Sequence, residues 1–171
     1  EDRFQIQIVD FEDGMTSDAG IEAVQFFTGG SVTFSEGGSF GNDLIVVASH
    51  EIGGATVSGG FGNDVIFAGA RSGQVLSGDS GNDDIVGSVF SEIVSGGSGD
   101  DILTNGGGGN DIFSGGGGND TFEISATTAF PFSTTIQEDA DFGPVDQLFL
   151  DGSFQVATVI ASGNDMILFD D

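Results

Sequence analysis

The chain has 171 residues, one domain's worth, with 31 glycines, 28 acidic residues, only two basic ones and a formal net charge of −26. Such a field repels nucleic-acid phosphates and anionic lipid and argues against both as partners; with no cysteine, disulfide staples and thiolate metal sites are excluded. Charge and glycine together favour disorder, yet 37% of the residues are hydrophobic, including 17 phenylalanines, and they recur at fixed intervals, so the charge calls for a multivalent counterion.

At the N-terminus, "FQIQIV" (residues 4–9) alternates apolar and polar positions as an edge strand does, and "VQFFTGGSVTFS" (24–35) is placed as a first coil without ions, so residues 1–23 form a strand and cap. No apolar run reaches the roughly 20 residues of a membrane helix, and "LIVVA" (44–48) is only strand-sized. Glu1 in place of Met reads as a processed or excised form.

Between residues 24 and 123 the chain repeats itself. Aligned on an aspartate, "GSFGNDLI", "GGFGNDVI", "GDSGNDDI", "GGSGDDIL" and "GGGGNDTF" place Asp43, Asp64, Asp83, Asp101 and Asp120 at intervals of 21, 19, 18 and 19 residues. Each aspartate precedes an apolar residue by two: Ile45, Ile66, Ile85, Leu103 and Phe122. A second column, Val57, Leu76, Val94 and Phe113, interleaves with the first at intervals of 19, 18 and 19, and each member is followed by Ser-Gly. Two apolar columns per repeat mean two short strands and two turns per coil. Helices are excluded here by the glycine density and the missing 3.6-residue pattern. The physical reading is all-β: a right-handed parallel β-solenoid of the flattened kind called a β-roll, its two columns facing each other across a thin core.

A core one side chain deep per strand cannot by itself hold so acidic a chain, and the turns offer the remedy. Turns of the form GGxGxD let glycines bend the backbone so that carbonyl oxygens converge, and the sixth-position aspartate adds an anionic oxygen. Oxygen donors without nitrogen or sulfur suit Ca2+, which takes six to eight in irregular geometry, better than Mg2+.

The turns resemble the repeats-in-toxin (RTX) calcium-binding nonapeptides, G-G-x-G-x-D followed by x, a large apolar residue and x. Residues 59–67 "GGFGNDVIF", 96–104 "GGSGDDILT", 106–114 "GGGGNDIFS" and 115–123 "GGGGNDTFE" match fully. The resemblance implies several Ca2+ ions between successive turns on one edge, bound by Asp64, Asp83, Asp101 and Asp120, with Asp43 opening the ladder. It also implies backbone carbonyl ligands from the turn glycines Gly60, Gly62, Gly97, Gly99, Gly116 and Gly118. Ser39 and Asp79 stand where the pattern has its second glycine. On the other edge, "HEIGGA", "GARSGQ" and "GSVFSE" lack the loop aspartate and only 106–111 is complete, so that edge is expected to be ion-free, with Asp111 a weak or empty site. The one-sided repeat also resembles those of bacterial adhesins, some of them ice-binding. Ice-binding members carry threonine at the third loop position, where this chain has Phe40, Phe61, Ser80, Ser98, Gly108 and Gly117, which argues against ice.

Residues 124–171 are expected to cap the roll. "DFGPVDQLFL" resembles the segment closing many RTX rolls, and "FQVATVI" and "MILF" flanking "ASGND" read as a hairpin.

Nothing in the motifs demands catalysis. His50 is the lone histidine and reads as a polar residue of the turn "SHEIGG" rather than part of a triad. The neighbours Asp83-Asp84 and Asp100-Asp101 point to opposite faces of a strand, so each pair splits into one ligand and one solvated charge rather than a glycosidase pair. The sequon Asn119-Asp120-Thr121 lies inside a calcium turn and is taken as chance, while Arg3 and Arg71 read as solvated. The phenylalanines are expected mostly in the core, with Phe40 and Phe61 turned outward.

These features lead to a non-enzymatic, secreted, bacterial cell-surface protein: a calcium-dependent structural or adhesive subunit of a filament, surface layer or matrix, polymerising with its own copies and without membrane insertion or nucleic acid. The competing reading is a monomeric folding or secretion module of a larger RTX enzyme, toxin or adhesin; carbohydrate binding through the flat faces ranks behind both.

Overall fold

The computed structural model describes residues 21–27, 41–47, 56–70, 72–126, 132–137, 146–152, 157–162 and 165–170. The expected strand at 4–9, most of the coil at 24–35, and Ser39, Phe40, His50, Arg3 and Arg71 lie outside them.

Strands form two seven-stranded sheets and alternate between them except at the ends, where the first two strands share one sheet and the last two share the other. One holds β1 (Ile21–Phe27), β2 (Asn42–Val47), β4 (Val65–Phe67), β6 (Asp84–Val86), β8 (Ile102–Thr104), β10 (Thr121–Ala126) and β12 (Gln147–Gly152). The facing sheet runs β3 (Thr56–Phe61), β5 (Gln74–Ser80), β7 (Glu92–Ser98), β9 (Gly109–Gly117) and β11 (Phe132–Ile136), then β14 (Asp165–Asp170) and β13 (Ala157–Ser162). Every pairing is parallel except at the C-terminal end, where β14 runs antiparallel to both β11 and β13. The expected hairpin is therefore present and finishes the second sheet, and the described residues contain no helix. This is the expected β-solenoid.

Register does the work that helices do in other parallel folds. Ile45 lies opposite Ile66, Ile66 opposite Ile85, Ile85 opposite Leu103, and Leu103 opposite Phe122. Val57, Leu76, Val94, Phe113 and Ile136 form the matching row of the other sheet. All of these side chains are buried. Like stacks on like because a shift of one residue would turn every core side chain to solvent.

Among the described phenylalanine side chains Phe113 and Phe122 are buried and Phe61 is turned outward, as expected, while Phe67, Phe90 and Phe149, expected in the core, are exposed. Phe67 follows the core residue Ile66 by one and so emerges on the outer face, as strand alternation requires.

Candidate metal centre

Alternation also places the acidic ladder. Asp64 precedes Ile66 by two residues and so shares its inward side, and the same holds for Asp83, Asp101 and Asp120 with Ile85, Leu103 and Phe122. All four carboxylates are at most 2% exposed, and Asp43 is buried with them. One oxygen of each does a structural job. The N–H of Asp43 donates to Oδ1 of Asp64 at 2.7 Å, that of Asp64 to Asp83 at 2.7 Å, that of Asp83 to Asp101 at 2.8 Å, and that of Asp101 to Asp120 at 2.9 Å. The second oxygen, Oδ2 of Asp64, Asp83, Asp101 and Asp120, is buried without a hydrogen-bond partner.

That bare oxygen faces a cradle. A Cβ built on Gly59, Gly78, Gly96 or Gly115, the first residue of each turn, would lie 2.1 to 2.2 Å from Oδ2 of the aspartate closing the same turn. At Gly59, Gly78 and Gly96 it would also lie 2.7 to 2.8 Å from the carbonyl oxygen of the next coil's first glycine. Two more carbonyls aim between coils: Gly62 O would lie 1.7 Å from a Cβ on Gly81, and Gly99 O 2.0 Å from one on Gly118. Glycine is required there by close backbone approach. Among the described residues no three histidine, cysteine or acidic side chains gather at one point, so each turn offers one carboxylate among backbone carbonyls. The donor set is hard, anionic and all oxygen, and it fits Ca2+.

The family model of the RTX calcium-binding nonapeptide repeat matches in four copies, over residues 52–70, 75–91 and 86–122. These residues are RTX calcium-binding repeats. No curated protein and no solved structure matches the chain.

Burial and like charge act on the RTX ladder together. Burial first, then the carboxylates one coil away, push Asp64 and Asp83 up to about 7, although the N–H each accepts works in the opposite direction. Asp101 is pushed to about 6 by the same causes, and Asp120 is raised, chiefly by burial. Asp64, Asp83, Asp101 and Asp120 are the side chains that would hold calcium, and the bound ion would supply the positive charge that lets neighbouring carboxylates stay ionised.

The departure at Asp79 leaves the RTX turn intact. Its φ of +74° follows the left-handed course of Gly60, Gly97 and Gly116 at the same position, a course that costs a non-glycine residue about 1–2 kcal/mol. Hydroxyl donors from Ser58 and Ser77 hold its carboxylate outside the turn.

Sequence reasoning missed three features. Beside the buried ladder runs an exposed one of opposite sense. Oδ1 of Asn42 accepts the N–H of Asn63, Asn63 that of Asn82, Asn82 that of Asp100, and Asp100 that of Asn119. Asp100 is thus hydrogen-bonded rather than merely solvated, and the Asn119 N–H lowers its pKa. Its neighbour Asp101 is buried, and Asp83 is buried while Asp84 is only partly so. The second missed residue is Asp146, whose Oδ1 accepts the N–H of Asp120 at 2.9 Å and extends the ladder into the C-terminal segment. The signal was available: Asp146 precedes Leu148 by two, and Leu148 lies opposite Phe122.

The third lies on the opposite edge. Gln74, Glu92, Asp111 and Thr134 form a buried row there, Gln74 and Glu92 being the sixth residues of turns that begin at Gly69 and Gly87. Gln74 accepts the N–H of Gly69 at 2.8 Å and donates to its carbonyl at 2.6 Å. Glu92 accepts the Ser88 N–H at 3.2 Å and the Ser88 hydroxyl at 2.5 Å. Asp111 behaves like the RTX aspartates: Oδ1 accepts the Glu92 N–H at 3.0 Å, while Oδ2, like Oγ1 of Thr134 in the adjacent strand, is buried without a partner. Burial, reinforced by Glu92, pushes Asp111 up to about 8.

Proposed function

We propose that this chain is an extracellular, calcium-folded structural subunit that joins its own copies end to end. Calcium binding rests on the RTX repeats, a repeat type typical of secreted bacterial proteins. The observation that carries assembly is Leu150. It pairs in register with Ile124, which is fully buried, yet Leu150 is 45% exposed and the neighbouring Phe149 53%. Among the described residues no strand pairs with β12 beyond β10, and β1 is the other end of the same sheet. A second copy adding its β1 to β12 would cover Leu150 and continue the sheet, and a head-to-tail contact repeated without closing builds a filament.

Light scattering after size-exclusion chromatography, in several millimolar CaCl2 and again in chelator, tests the reading. Calcium-dependent polymers that Leu150→Asp shortens to monomers support it. A compact calcium-loaded monomer at every concentration leaves the alternative, a calcium-triggered folding module.

A further inference from the structure

The two edges differ in the state of their sixth-position side chains. On the aspartate edge one oxygen per turn is buried and bare. On the other edge two of the sixth-position side chains, Gln74 and Glu92, are one methylene longer and reach back across their own turns. Gln74 uses both ends of its amide on the backbone of Gly69. Both oxygens of Glu92 are occupied, Oε2 by the Ser88 N–H and Oε1 by the Ser88 hydroxyl, with Nε2 of Gln74 a further 3.5 Å contact. Backbone course separates the edges too: the aspartate turns take positive φ at their second and fourth residues, as at Gly60 and Gly62 or Gly97 and Gly99, whereas turn 87–92 does so nowhere.

We infer that Gln74 and Glu92 are built-in replacements for calcium, closing turns 69–74 and 87–92 with hydrogen bonds so that neither turn takes an ion. The inference rests on the calcium reading of the opposite edge. The physical reason is that a buried carboxylate demands either a cation or enough donors, and a glutamate in this position reaches donors an aspartate cannot. Side-chain length at the sixth position then sets the ion count of the roll. Asp111, short and bare on the same edge, marks where the replacement stops.

The test counts ions by isothermal titration calorimetry with CaCl2 on the full chain. Asp64→Asn is expected to lose one ion; an unchanged count there overturns the calcium assignment itself. Glu92→Gln is expected to keep the parent's count and affinity, and Gln74→Ala to keep the count while lowering the melting temperature by at least about 2 °C. If Asp64→Asn loses an ion and Glu92→Gln loses one as well, Glu92 is a ligand and the inference falls while the calcium reading stands. Should Gln74→Ala fail to fold, the isosteric Glu92→Gln still decides between pin and ligand.

Discussion

Oδ1 of Asp83 accepts the backbone N–H of Asp64, one coil earlier, at 2.7 Å, while Oδ2 of the same carboxylate is buried and bare. One side chain thus staples two coils and would present a charge to a bound calcium ion, and the two roles separate by substitution. Asp83→Asn keeps an acceptor for the N–H and loses the charge; Asp83→Ala loses both. Both variants are expected to bind one calcium ion fewer by titration calorimetry, and the alanine variant to be less stable than the asparagine one by about 1–3 kcal/mol, the cost of an orphaned buried N–H. Equal stabilities would show that the staple contributes nothing.

Removing calcium exposes the ladder to its own repulsion, and the pH dependence has a definite sign. Asp64 and Asp83 rise from 3.8 to about 7 in the folded chain, so the metal-free fold binds more protons than the unfolded chain between those values. Stability without metal is therefore greatest near the acidic end of this window and falls as pH rises through it. In chelator, the β signal in far-UV circular dichroism is expected to grow on acidification from about pH 8 to about pH 5. With calcium present the trend reverses, because ion and proton compete for the same oxygens and affinity climbs across the same range.

The first glycine of each turn is needed for space. A Cβ on Gly78 would sit 2.1 Å from Oδ2 of Asp83 and 2.7 Å from Gly96 O. Gly78→Ala is expected to abolish the ion held by Asp83 and leave the others, one fewer by calorimetry, with a lower melting temperature in saturating calcium. An unchanged count would mean that the cradle relaxes around a methyl group.

Asp146 ends the buried ladder. Asp146→Ala removes the acceptor of the Asp120 N–H and, because Asp146 itself is exposed, should cost only about 1 kcal/mol. Its clearer effect is on order in the last turn: amide hydrogen exchange at Asp120 is expected to quicken while that at Asp64 stays as it is.

The repeats made the core rows legible: Ile45, Ile66, Ile85, Leu103 and Phe122 could be aligned by eye because a solenoid copies local sequence into stacked positions. Asp43, Asp64, Asp83, Asp101 and Asp120 were legible for the same reason, lying two residues before those apolar positions. Gln74 and Glu92 were harder to see, because a search for repeated aspartate passes over longer side chains at the same turn position that bond to their own turns. Asp146 was hidden by the break in spacing, 26 residues after Asp120 instead of about 19.

By itself the sequence determined the two-strand coil, its inward side chains and the oxygen chemistry of one edge, since period and alternation are local properties of the chain. Only the tertiary structure decided which oxygens are spent and which are bare. That depends on where the donors fall: a neighbouring coil's N–H next to Oδ1 of Asp64, Asp83, Asp101 and Asp120 and none next to their Oδ2, and within Glu92's own turn the Ser88 N–H on Oε2 and the Ser88 hydroxyl on Oε1.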